Sequence, residues 1–273
     1  MSRLDPRLLL QCYAAGIFPM ADSRDAAELF WVEPRTRAIL PLDRFHMSRS
    51  LRRVIRSGRF QLTRDRDFAG VIRACADRQE TWINAEIEHA MLVLHASGHA
   101  HSIEAWHGSG AGPTLVGGLY GVRLGRAFFG ESMFSTMTDA SKVALAWLVA
   151  RLKVGGFTLL DCQFMTDHLA SLGAVSVPRA DYIALLTTAL GGGSGGGTGG
   201  GDVAPGSGVG AGMIAPASTG AAAPASTGAA APASTGAAAP DFAALDRLLD
   251  ATGAADAPGP AGYVIAQLLG QTS

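Results

Sequence analysis

Residues 1–190 predict an α+β fold with a mixed or antiparallel sheet, and three observations carry that prediction. Amphipathic helical stretches with recognisable caps recur along the first half. Alternating segments then follow closely, HSIEAWH, TLVGGLYGVRLG and RAFFGESMFS, with only short connections. One further strand pattern, FTLLDCQF, comes after a long helical run, as a crossover would require.

Taken in order, Asp5-Pro6 is a good N-cap and first-turn pair for a helix that Gly16 stops. That stretch superficially imitates a secretory leader, but Gln11 and Cys12-Tyr13 interrupt its apolar run, and a short mature helix is the expectation. A loop carries FWVEPRTRAILPL. Ser48 caps a helix SRSLRRVIRSG that ends at Gly58, and DFAGVIRACADR repeats the helical spacing with Phe68, Val71, Ile72 and Cys75. Asn84 opens a helix through His95. After the alternating segments, Asp139 caps ASKVALAWLVARLKV, which Gly155-Gly156 closes. FTLLDCQF, a short helix around HLASLG and a last helix from Pro178 complete the region.

At Leu190 the composition changes. GGGSGGGTGGG leads into a Gly/Ala/Pro stretch and three copies of APASTGAA at residues 215–222, 223–230 and 231–238, which read as a flexible tether. Residues 191–240 are therefore expected to be linker and 241–273 a short helical tail. In DFAALDRLLD, Phe242, Leu245, Leu248 and Leu249 share a face, which suits a docking tail or a self-association element. Deleting 191–273 is expected to leave the core reaction intact unless the tail docks onto the cleft.

The chain has 273 residues, a net charge of −1 and a pI near 6.6, so it is no general nucleic-acid binder by charge alone. All basic residues but Arg247 lie before residue 191, however, as do the seven histidines. Three scattered cysteines without a CxxC suit a reducing cytosol and give neither a disulfide framework nor a zinc site. No apolar stretch reaches bilayer-spanning length.

Three stretches could carry chemistry. Arg49, Arg52, Arg53 and Arg56 share one helical face opposite Leu51, Val54 and Ile55, and residues 44–64 contain no acid. The face is either a solvated one or a set of forks for phosphates. In FTLLDCQF, period two sends Leu159, Asp161 and Gln163 to one side and Leu160, Cys162 and Phe164 to the other. The Asp–Gln side is either the wet face of the sheet or a cleft that orients an amine or a carbonyl. Glu131 is a lone carboxylate within FFGESMFS, half-exposed or facing a cavity, because an unpaired buried charge is costly. Gly117, Gly118 and Gly121 allow close backbone approach or a bulge next to it. His95, His99 and His101 make a poor metal set, with Gly98 breaking the helix and no carboxylate placed beside them. GESMF is not a nucleophile elbow, and no phosphate-binding glycine loop occurs.

Several blocks together carry a resemblance: GIFPM, FWVEPRTRAILPLDRFHMSRSLRR, the TWI of residues 81–83, LHASGHAHSIEAW, LVGGLYGVRLGRAFFGESMFS, DASKVAL, and LLDCQF with HLASLGA and PRADY after it. In this order, over about residues 8–186, they resemble the leucyl/phenylalanyl-tRNA–protein transferase family. The resemblance implies a small N-terminal domain (1–36) joined to a GNAT-like, acetyltransferase-related domain (37–190). It implies a cytoplasmic, monomeric enzyme without cofactor or metal. Such an enzyme moves Leu or Phe, with Met a further candidate, from aminoacyl-tRNA to proteins beginning with Arg or Lys, marking them for bacterial N-degron degradation. By the same likeness Asp161 and Gln163 are catalytic, and Glu131 belongs to the active site, where it would attract the cationic N-terminus of the acceptor. Leu119, Phe128, Leu148, Leu152 and Leu160 would wall the amino-acid pocket, with Trp82 and Met20 beside the substrate. Arg49, Arg52, Arg53 and Arg56 would grip tRNA. Met20 and Met91 stand where many members carry aromatic residues, which removes stacking surface.

An acetyl-CoA-dependent N-acyltransferase is the competing enzyme class, but RLKVGG has the wrong spacing for its pyrophosphate loop and lies at a helix end. A non-enzymatic tRNA- or peptide-binding module is the third possibility.

Overall fold

The computed structural model describes residues 4–108, 112–191, 238–255 and 258–270. Helix α1 (Pro6–Ala14) begins where Asp5 accepts a hydrogen bond from the Arg7 amide and Pro6 takes the first turn. It buries Leu9 and Tyr13, so the leader-like run is a core-facing stripe. A two-stranded ribbon follows, β1 (Phe18–Met20) with β2 (Phe30–Val32), and then β3 (Thr36–Ile39). Ser48 caps α2 (Arg49–Arg56) by accepting from Leu51 N. Next come β4 (Gln61–Arg64), α3 (Phe68–Ala76) under its Asp67 cap, and α4 (Ala85–Ala96) under its Asn84 cap.

Three long strands form an antiparallel meander: β5 (Ala100–His107), β6 (Thr114–Leu124) and β7 (Ala127–Ser135). Helix α5 (Ala140–Val154) then crosses over to β8 (Leu159–Gln163), which pairs parallel with β7. The core region closes with α6 (Asp167–Ser171), β9 (Val175–Pro178) and α7 (Arg179–Ala189). The last elements are α8 (Ala244–Ala251) and α9 (Pro258–Leu268). The main sheet has seven strands in the order β4-β5-β6-β7-β8-β3-β9, all neighbours antiparallel except β7–β8. The architecture is α+β with a mixed sheet.

The sheet divides two apolar layers. One face packs α2, α5, α8 and α9 around Leu51, Ile55, Leu148, Leu245 and Ile265. The opposite face packs α1, α3, α4 and α7 around Tyr13, Ile72, Met91 and Tyr182. The described residues up to 191 and from 239 onward form one compact unit.

Two expectations change. FWVEPRTRAILPL is not a loop: it holds β2 and β3, and β3 lies between β8 and β9, where hydrogen bonds on both edges make a strand of a stretch too short for a period-two signal. Asp139 stands before α5 but does not cap it. Its backbone is left-handed (φ 70°) rather than extended, and its carboxylate pairs with Lys142 Nζ at 3.1 Å instead. Residues 241–255 and 258–270 take the docking alternative read from their shared apolar face. Phe242 is buried between the rings of Phe128 and His101, and Arg151 donates to Phe242 O (2.7 Å) and to Asp246 Oδ2 (2.9 Å). Arg64 Nε reaches the same Asp246 oxygen at 2.9 Å. Truncation at 191 would therefore strip Phe242, Leu245, Ile265 and Leu269 from the first apolar layer. The APASTGAA repeats and nearly all of the 191–240 linker lie outside the described residues.

Candidate active site

The site begins with a register defect. On β6 the neighbours Tyr120 and Gly121 pair with Ser132 and Gly130 of β7, so Glu131 has no cross-strand partner and is the extra residue of a bulge. The bulge moves Met133 onto the same side as Phe128, five positions earlier, and re-aims the glutamate. Gly121 makes it possible, because a Cβ there would lie 2.2 Å from Phe129 O and 2.4 Å from the Phe128 ring.

On the neighbouring strand, alternation holds through Cys162 and then fails. Leu160 and Cys162 face the first layer, while Leu159 and Asp161 face the second. Gln163, which period two would place with Asp161, has φ 62° and swings toward the cavity that Leu160 and Cys162 line. The expectation that Asp161 and Gln163 project side by side is corrected by this left-handed turn. Asp161 holds it in place: its Oδ1 accepts from Gln163 N at 2.8 Å.

Asp161 itself is fully engaged and completely buried. Arg37 Nε and Nη2 reach its two oxygens at 2.9 and 2.7 Å, and the Tyr182 hydroxyl donates to Oδ2 at 2.8 Å. Arg37 also donates to Gly16 O and lies between the rings of Phe18 and Tyr182, 4.6 and 4.7 Å from their centroids. A buried charge pair of this kind is tolerable because every polar atom around it is met. Such a carboxylate has no free lone pair aimed at a substrate. It anchors the backbone of Gln163.

Glu131 is the opposite case. Gln163 Nε2 donates to its Oε1 at 2.8 Å, while Oε2 is buried without a hydrogen-bond partner among the described residues. The Tyr13 and Tyr120 hydroxyls, also buried and unpartnered, weigh on the same carboxylate. Burial pushes the Glu131 pKa up to about 7, against the pull of the Tyr13 and Gln163 dipoles. A buried carboxyl poised near neutrality, with one oxygen lacking a hydrogen-bond partner among the described residues, suits proton exchange.

Glu131 and Gln163 open into a cavity of about 260 Å³. Leu119, Met133, Leu145, Leu148, Leu160 and Leu169 supply its apolar walls, with Tyr120, Trp82 and Arg78 at polar positions. Arg78 is fixed by bonds to Ser132 Oγ (3.1 Å) and Met133 O. His168 also lines the cavity; burial, then the Lys142 charge, lowers its pKa, and its Nε2 has no partner among the described residues. Cys162 lies on the wall, but burial pushes its thiol far above the usual range, so it is no thiolate nucleophile.

Of the residues read from sequence, Glu131, Asp161 and Gln163 converge, and Leu119, Leu148, Leu160 and Trp82 line the cavity. Phe128 and Leu152 do not line it: both are fully buried in the first layer, Phe128 against Phe242. Met20 packs into the second layer, away from the lining. Arg49, Arg52, Arg53 and Arg56 line a separate groove on α2. Sequence reasoning missed Arg37, Tyr182, Tyr120 and Met133. An arginine flanked by Thr36 and the run Ala38-Ile39-Leu40 was the one available hint of a buried cation. His101, from the rejected metal set, pairs through Nδ1 with Asp65 at 2.8 Å, and His95 Nδ1 with Ala100 O.

Comparison with known proteins adds a direct line of evidence. A family model described as leucyl/phenylalanyl-tRNA protein transferase matches residues 39–187, and the N-terminal domain model of the same family matches residues 2–35. A leucyl/phenylalanyl-tRNA–protein transferase of Rhizorhabdus wittichii is 62% identical over 195 residues, covering 70% of this chain and 77% of that protein. The Zymomonas mobilis protein of that name is 61% identical over 191 residues, covering 68% and 70%. One from Cereibacter sphaeroides is 62% identical over 189 residues, covering 69% and 86%.

Proposed function

Because the chain belongs to the leucyl/phenylalanyl-tRNA–protein transferase family, we propose that it transfers leucine or phenylalanine from aminoacyl-tRNA to the N-terminal amine of acceptor proteins that begin with Arg or Lys. The observation that carries the reading at residue level is the buried Oε2 of Glu131, unpartnered among the described residues, on a side chain that lines an apolar cavity and is tied through Gln163 to the Asp161 anchor.

The aminoacyl ester is already activated, so the chemistry is aminolysis. The acceptor nitrogen attacks the ester carbonyl, the bond to the ribose oxygen breaks, and the amine proton must leave. Glu131 Oε2 receives that proton and returns it to the departing ribose oxygen. Its ionised form also draws in the cationic N-terminus. Gln163 holds Glu131 through Oε1, and Asp161 acts as a positioning residue through the Gln163 backbone. The leucine-rich walls take the amino-acid side chain by transfer free energy, which admits both Leu and Phe, since a methylene or two discriminates by only ~1–3 kcal/mol. Arg49, Arg52, Arg53 and Arg56 bind tRNA phosphates.

The reading extends to a small N-terminal domain over 1–36, a GNAT-like catalytic domain over 37–190, a monomer in the cytoplasm, and a role in N-degron marking. The two family models, which meet between residues 35 and 39, support the division. Incubation with leucyl-tRNA and a peptide beginning with Lys tests the activity. A mass gain of one leucyl group on the peptide is expected. No gain with leucyl-tRNA, but an acetyl group gained with acetyl-CoA, would replace this reading with the N-acyltransferase one.

A further inference from the structure

The arginine groove on α2 has a wall that the helix's own sequence does not supply. Arg49, Arg52, Arg53, Arg56 and Ser57 line it from α2 and its end, and Tyr263 lines it from α9. No carboxylate lies among these lining residues. Gly262 lets α9 settle against α2, since a Cβ there would lie 2.1 Å from Ile55 O. Ala261, Ile265 and Ala266 are buried around that contact, so the backbone carrying Tyr263 is held in place. The tyrosine itself is 58% exposed, the most exposed large apolar side chain among the described residues. One side of its ring carries the Arg56 guanidinium, with Cζ 5.1 Å from the centroid.

We propose that Tyr263 is a stacking platform for an unpaired base of the bound tRNA, with the α2 arginines holding the phosphates on either side. An exposed aromatic ring on a packed helix, with a guanidinium over one face, matches how single-stranded RNA is held, by base stacking between cationic contacts. Burial of a tyrosine ring against solvent would be the ordinary outcome for a helix packed this closely. Here the packing residues flank Tyr263 and leave its ring standing in the groove. The C-terminal segment thus contributes a substrate contact from beyond residue 187, where the family model ends. The inference rests on the reading of the α2 arginines as tRNA ligands, and the test separates the two.

The affinity of the full-length chain for deacylated tRNA is measured across a KCl series for Tyr263→Ala, Tyr263→Phe and Arg53→Gln. Stacking predicts that Tyr263→Ala weakens binding about 5- to 100-fold with an unchanged salt slope, and that Tyr263→Phe binds like the native chain. Arg53→Gln should lower the slope by about 1. If Tyr263→Ala binds within about twofold of native while Arg53→Gln changes the slope, the platform is wrong and the arginine reading survives. If neither variant has an effect, both are wrong. A changed slope in Tyr263→Ala would mean that the ring only positions Arg56, which also overturns stacking.

Discussion

Replacing Phe242 by alanine should destabilise the whole protein, although residue 242 follows a long low-complexity stretch. The ring is 2% exposed. It stacks on Phe128 with centroids 5.4 Å apart and planes 3° apart, lies 4.3 Å from His101, and meets Phe157 edge-on at 6.0 Å. Truncating a buried phenylalanine costs ~3–5 kcal/mol, and its aromatic partners place this one toward the middle or top of that range. A loss of about 4 kcal/mol is a large part of the ~5–15 kcal/mol that holds a typical domain together. For a chain of this size it corresponds to a fall of about 8–16 °C in Tm. Urea unfolding of the full chain is the assay, because the slope m distinguishes two routes. A lower midpoint at constant m means that the segment and the core unfold together; a reduced m means that the segment leaves first. Phe242→Leu keeps most of the apolar volume and should lose much less. A midpoint unchanged to within ~1 kcal/mol at constant m would refute the reasoning, since a ring so placed cannot be removed without a cavity.

Glu131→Gln should lower the transfer rate and remove the Glu131 share of its rise at about pH 7, leaving only the rise set by the acceptor amine, with a pKa of ~8. It should also flatten the stability profile. A carboxyl whose pKa is raised on folding binds its proton more tightly in the folded chain, so native stability falls between about pH 4.5 and 7, and the variant should be the more stable above that window, as paired urea titrations would show. Arg37→Met should cost ~3–5 kcal/mol by leaving the Asp161 carboxylate buried without its cation, and urea midpoints check it. Leu148→Phe narrows the cavity and should lower kcat/KM for phenylalanyl-tRNA more than for leucyl-tRNA, with ~1–3 kcal/mol available for the difference. Equal losses for both would place the amino-acid side chain elsewhere.

Much of this was legible because local chemistry and global fold agree. Asp5, Ser48 and Asn84 cap the helices their positions announce, and the closely spaced segments from Ala100 to Ser135 form the antiparallel meander, its alternation broken at the bulges beside Trp106 and at Glu131. What was illegible depended on partners distant in sequence. Arg37 looked like a loop residue because only Asp161, 124 positions away, makes it a core one. Gln163 departs from period two because a hydrogen bond to Asp161 supports a backbone angle that no strand propensity favours. Phe128 was placed in the pocket because its neighbours are, yet Phe242 occupies the space it faces. The docking of the last helices was legible as a need but not as a place: an amphipathic face states that it needs cover but not what supplies it.

The Asp246 carboxylate joins Arg64, 182 positions earlier, to Arg151. That span sets a timetable for the molecule as it is made. The first apolar layer lacks Phe242, Leu245, Ile265 and Leu269 until α8 and α9 have been synthesised, so α2 and α5 must wait for part of their cover. Closing so long a loop costs only slightly more free energy than a shorter one, because the penalty grows with the logarithm of length. The delay is therefore one of synthesis more than of search. During it the nascent chain presents an apolar surface that α8 and α9 cover, and a chain that stopped before Phe242 would leave that surface exposed for good.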